Sequence, residues 1–243
     1  AAWNAGVFSM IQSLSETVVV PIAGIIITLV LSYELISMII EKNNLHDFDT
    51  FNIFKWIFKA FVAVYLVTHT FDITMAIFDV AQHIVQQSAG IITGSTSVDF
   101  AAALGDVESQ LEAMGIGELF GLLVETMLLR VTAPILSLCI MLVLVGRMVE
   151  IYIYCSVGAI PFATMVNREW GQMGNNYLRG LVALGLQGFF IMICVAIYSV
   201  LIGQIGGAAN LHIAIWQCAG YTVLLCFSLF KTGAVSKSIL NAH

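Results

Sequence analysis

Apolar residues in this chain come in long unbroken runs, and polar residues gather in the connections between them. Neither the alternation of a half-buried strand nor the single stripe of a surface helix has this form. A helix crossing a bilayer needs about 20 apolar residues, since each rises about 1.5 Å across a core of roughly 30 Å. Five stretches qualify, predicting spans over about 18–40, 54–80, 119–146, 181–205 and 211–230. Only helices or a closed barrel satisfy every backbone group in lipid, and continuous apolar runs select helices. The predicted fold is all-α: a polytopic membrane protein with about five transmembrane helices and an N-terminal amphipathic helix.

That first helix covers residues 1–16, with Trp3, Val7, Phe8, Ile11 and Leu14 near helical spacing and polar residues between them. It is too short and mixed to span, so it reads as lying on the surface. Ser13 and Glu16 form an S-x-x-E capping box, with Pro21 near the start of the next helix. A single transmembrane domain is then expected over 17–243. Residues 41–50, EKNNLHDFDT, form a polar turn. The second helix starts near Phe51 and stays apolar to about Ile92, with its membrane part centred between Trp56 and Phe71. Asp72, Asp79, His83, Gln86 and Gln87 place its second half in water or along a neighbour.

The apolar region 119–165 is too long for one simple span, leaving one long projecting helix or two spans with a tight bend. Charge favours a single crossing. The loop 92–118 carries Asp99, Asp106, Glu108, Glu112 and Glu118 and no Lys or Arg, whereas the alternate connections hold nearly all the basic residues. Cytoplasmic loops collect Lys and Arg. With one crossing, Arg147, Arg168 and Arg179 in the basic loop 147–180 share a side with Lys42, Lys55, Lys59, Lys231 and Lys237; a second crossing breaks the pattern. The expected layout is one span and then a bent or partly inserted segment at Gly158 to Pro161. The N-terminus is outside, the C-terminus cytoplasmic, and the loop 92–118 external. Trp3, Trp56, Trp170 and Trp216 all fall near predicted interfaces, where aromatic belts form.

Composition agrees. Of 243 residues, 60% are hydrophobic and 10% charged, far from the roughly 25% charged of soluble domains. The net charge of -6 argues against sequence-specific nucleic-acid binding through a broad basic face. Cys139, Cys155, Cys194, Cys218 and Cys226 lie in apolar runs without a C-x-x-C pair, as small hydrophobes do. No hydrolase, kinase, phosphate-loop or metalloprotease pattern appears. No catalytic residue, cofactor or metal site is therefore expected.

Ionisable residues inside spans cost at least ~2.5 kcal/mol on insertion scales and face protein or water. Arg130 lies about a dozen residues, or roughly 18 Å, from the outer end of the third helix. Its candidate partners are Glu125 on the same helix and Asp72 at comparable depth on the second. Two readings stand: a structural pair that locks helices or subunits, and an ion or proton relay. Glu34 is expected to pair with Lys59 or Arg147. His69 and His83 lack clustered ligands. Gly180, Gly185 and Gly188 permit close helix approach, in intrachain packing or in a subunit interface or pore lining.

The segment 157–187, VGAIPFATMVNREWGQMGNNYLRGLVALGLQ, resembles the central signature of TrbL-type polytopic inner-membrane subunits of type IV secretion and conjugation machines. In that family a span leads into a Gly/Pro-containing apolar turn, a short basic stretch, a tryptophan and the next span. Gly158 and Pro161 match the turn, Arg168 the basic stretch and Trp170 the tryptophan. Ala159 and Ile160 separate the turn residues where a tighter pairing is common, and many relatives continue into a long polar tail beyond the position of His243. The resemblance implies a non-enzymatic channel or scaffold subunit of the bacterial inner membrane, in contact with membrane lipids. It also implies a homo-oligomeric ring of about five copies at the base of a stalk or translocation path, with ATPases on the cytoplasmic side. The alternative is a small ion channel or transporter, although no inverted repeat is evident; a structural membrane anchor is a third.

Overall fold

The computed structural model describes residues 4–41, 50–95, 111–167, 169–205 and 211–242. Helix dominates and no strand occurs among them. Five helical stretches are long and apolar enough to cross a membrane. The protein is an all-α polytopic membrane protein.

Helix α1 (Ala5–Leu14) is capped by Asn4, whose Oδ1 accepts hydrogen bonds from the N–H groups of Gly6 at 3.0 Å and Val7 at 3.2 Å. The break expected after Ser13 is not there. A π-helical turn, Ser15–Val19, joins α1 directly to α2 (Val20–Glu41). Ser13 is interior, its carbonyl accepting from the Thr17 hydroxyl, and Glu16 accepts from Gln12 Nε2 at 2.9 Å. Pro21 has no N–H to give, and its ring crowds the carbonyl four residues back. The wider turn just upstream is where a helix absorbs that conflict. The stretch Ala5–Ile40 thus counts as one candidate span, its most apolar window having a mean hydropathy of 2.2.

The second predicted helix is divided. Helix α3 (Thr50–Thr68) and helix α4 (Thr70–Ser95) meet at His69, and only α3 has spanning character. Hydroxyls compete for the backbone here. Thr68 Oγ1 donates to the carbonyls of Val64 and Tyr65, and Thr70 Oγ1 to those of Leu66 and Val67. Such back-bonding loosens and bends helices.

Helix α5 (Ile116–Val157) has 42 residues, or about 63 Å at helical rise, twice the hydrocarbon core. It runs without interruption through Pro134 and stops at Gly158. The short helix α6 (Ala159–Thr164) follows, so the bend falls in the segment expected for it. Helices α7 (Gly171–Ile205) and α8 (Leu211–Ile239) are both longer than the apolar runs within them. Hydropathy marks where lipid ends, and a helix need not stop there. Of the acidic loop, residues 96–110 lie outside the described residues, while Glu118 at its end accepts from the Gly115 N–H at 3.3 Å beside the start of α5.

Two compact units are formed. The first takes Ala1–Ala81, Arg147–Gly185 and Lys237–His243. Its core includes Val19 of the π turn with one stripe of α2 (Ala23, Ile27, Val30), Ala63, Val67 and Phe71, and Cys155, Ala159, Phe162, Leu181 and Leu184. Spacings of three and four along α2 put those residues on one face. The same face extends to α1, where Phe8 meets Phe71 edge-on at 5.4 Å. The second unit takes Gln82–Gly146 and Leu186–Ser236, with Ile191, Leu225 and Leu229 at its core.

Candidate functional site

In the first unit the long helix α5 breaks at Gly158. A Cβ there would stand 2.5 Å from Tyr177 Oη and 2.8 Å from Thr70 Cγ2, so only glycine lets α7 come this close. Tyr177 Oη donates to the carbonyl of Tyr154 at 2.8 Å. That carbonyl lies four residues before the break and would otherwise be one of the orphaned acceptors at a helix end. Pro161 is part of α6, and its carbonyl lies 2.6 Å from where a Cβ of Gly174 would be. A Cβ on Gly180 would meet the Tyr154 ring at 3.1 Å, and one on Gly185 would meet Ala81 Cβ at 3.0 Å. Gly188 is buried in the second unit.

After α6 the chain turns on Asn167, which is 5% exposed. Its Oδ1 accepts from the N–H groups of Glu169 at 2.7 Å and Trp170 at 3.3 Å, and its carbonyl from Gly171 at 2.8 Å. This is the Asx arrangement that starts helices. Arg168 lies outside the described residues. Trp170 stacks on Tyr33 with ring centroids 5.9 Å apart. Beside this turn is a cavity of about 330 Å³ lined by Asn167, Gln172, Asn175, Asn176 and Arg179 among others.

Charged groups within spans are largely paired. Of the two partners open to Glu34, Lys59 is the one the structure brings to its Oε1; Arg147 instead donates to the carbonyl of Leu184 at 3.4 Å. Glu150 Oε1 meets Lys237 Nζ at 2.9 Å. Glu125 Oε2 meets His212 Nδ1 at 2.8 Å, so its partner is the histidine rather than Arg130. Helix geometry explains the difference: residues five apart are turned by about 140° from one another, unlike those three or four apart. Arg130 is exposed and forms no ion pair with a described residue, and Asp72 is exposed on α4 in the other unit.

Of these pairs, Glu125–His212 belongs to the second unit and Glu150–Lys237 to the first. His212, Tyr177 and Asn167 carry contacts that no motif singled out. The available signals were a lone histidine beside the start of the last apolar run, and an Asn four residues before a helix start. No group of three or more His, Cys, Asp or Glu that could hold a metal occurs among the described residues. The described residues of the site offer packing, hydrogen-bond donors and ion pairs.

A protein-family model described as TrbL/VirB6 plasmid conjugal transfer like protein matches residues 1–159. The match takes in Gly158 and ends before Pro161, Arg168 and Trp170. No curated protein and no solved structure matches the chain.

Proposed function

Because the chain belongs to the TrbL/VirB6 plasmid conjugal transfer family, and so is a multi-pass bacterial membrane subunit of a multi-subunit conjugal transfer or type IV secretion apparatus, we propose that it serves there as a non-enzymatic channel or scaffold component. Several copies surround the translocation path as a ring. The N-terminus is outside, the C-terminus is cytoplasmic, and the stalk and ATPase components of the machine are its partners.

One observation carries this reading. The most apolar window of α5 has a mean hydropathy of 2.4, and none of it is buried within the chain. Arg130 stands exposed in the same helix. Lipid would cover the apolar positions, but a lone guanidinium within a span costs about 2.5–3.5 kcal/mol on insertion scales unless it meets water or a counter-charge. A second copy or a water-filled path satisfies both demands on α5, and a repeated head-to-tail contact closes into a ring.

Native mass spectrometry of protein extracted in mild detergent tests the proposal. A defined multi-copy species is expected, together with its loss in Arg130→Leu and its retention in Lys237→Ala, whose Glu150 contact lies within one unit. A monomer that conducts ions in liposomes would contradict the ring and favour a small channel.

A further inference from the structure

We propose that the polar cavity at the start of α7 binds the phosphodiester of an anionic glycerophospholipid at the cytoplasmic face of the membrane. Gln172, Asn175, Asn176 and Arg179 line this cavity, and no side-chain hydrogen bond joins any of the four to a described residue. Four uncommitted donor side chains around one space of about 330 Å³ form a site for an acceptor-rich group. Among the described residues the walls hold one cation, Arg179, and no carboxylate.

That balance specifies the ligand. A phosphodiester carries a single negative charge and no proton to donate, so one guanidinium neutralises it and the amides complete its hydrogen bonds. With no carboxylate in the wall, nothing is placed to hold the ammonium of a zwitterionic headgroup. This favours phosphatidylglycerol over phosphatidylcholine. The first turns of α7 form one side of the cavity, and the positive end of the helix dipole adds to the preference for an anion.

The source is the membrane rather than the solvent. Trp170, one residue before α7, is 49% exposed and stacked on Tyr33, an amphipathic ring pair of the kind found at headgroup level. Charge asymmetry puts the same turn on the cytoplasmic side. The site lies within one unit and does not depend on how many copies assemble.

The test is native mass spectrometry of the full chain, titrated with phosphatidylglycerol or phosphatidylcholine in detergent, with inorganic phosphate as competitor. Selective phosphatidylglycerol adducts are expected, weakened about tenfold in Arg179→Gln, the loss of one charge-assisted contact. Asn176→Leu should also weaken them, and inorganic phosphate should displace them poorly. Because Arg179 is exposed, Arg179→Gln should keep the wild-type helical circular dichroism. Equal adducts in wild type and both variants would overturn the site. Equal retention of the two lipids would overturn its selectivity, and displacement by equimolar phosphate would overturn the membrane source. The same spectra report copy number separately, so loss of the ring with lipid retained would count only against the ring.

Discussion

Gly158 is the residue at which α5 gives way to α6. In Gly158→Ala the added methyl collides with Tyr177 Oη and Thr70 Cγ2, and overpacking of this kind costs about 1–3 kcal/mol. The variant should unfold at lower temperature in detergent. Adding Tyr177→Phe should recover part of the loss, because it removes the nearest atom, and strict additivity of the two changes would contradict the contact. The Gly/Pro pattern in the sequence pointed to Gly158, but the pattern could not show the tyrosine hydroxyl that fills the space a side chain would need. Among the charged residues, Glu34 was legible in part, since the sequence offered Lys59 beside Arg147 as its partner and the structure pairs it with Lys59. Glu125 was harder. Its nearest charge in sequence, Arg130, is on the wrong side of the helix, and its real partner is 87 residues away.

At the level of helices, hydropathy located the five apolar runs but not where each helix starts and stops. Helices α7 and α8 continue through polar residues such as Asn175 and Lys237, since intrachain backbone bonds remain favourable where water replaces lipid. The division at His69 was also hidden, as it follows from hydroxyls that bond backbone instead of from a change in polarity. The π turn before Pro21 has a testable consequence. It holds one residue more than an α turn, so deleting the half-exposed Val18 should restore regular pitch and leave Phe8 against Phe71. Deleting Ile25 within α2 should rotate α1 by about 100° relative to the rest of the helix and strip that contact. A clear drop in folded yield for the second deletion and little change for the first is the expected outcome. Equal losses would mean that the π turn does not set the register.

For the whole molecule, the arrangement of charge carries more information than any single residue. Along the chain, the loop 92–118 carries Asp99, Asp106, Glu108, Glu112 and Glu118 and no Lys or Arg, while the basic residues gather in the alternate connections. Such a pattern is legible in a sequence because the bilayer selects it before tertiary packing does. Copy number and pore were not readable, since a greasy exposed helix looks the same whether lipid or a neighbour covers it. The central claim is that the acidic connection between α4 and α5 is outside the cell and the cationic ends are inside. A cysteine placed at Asp106, with the five native cysteines changed to alanine, decides it by labelling with a membrane-impermeant maleimide. Labelling on intact cells is the predicted result, whereas labelling only after lysis would invert the topology and remove the basis for the secretion-channel reading.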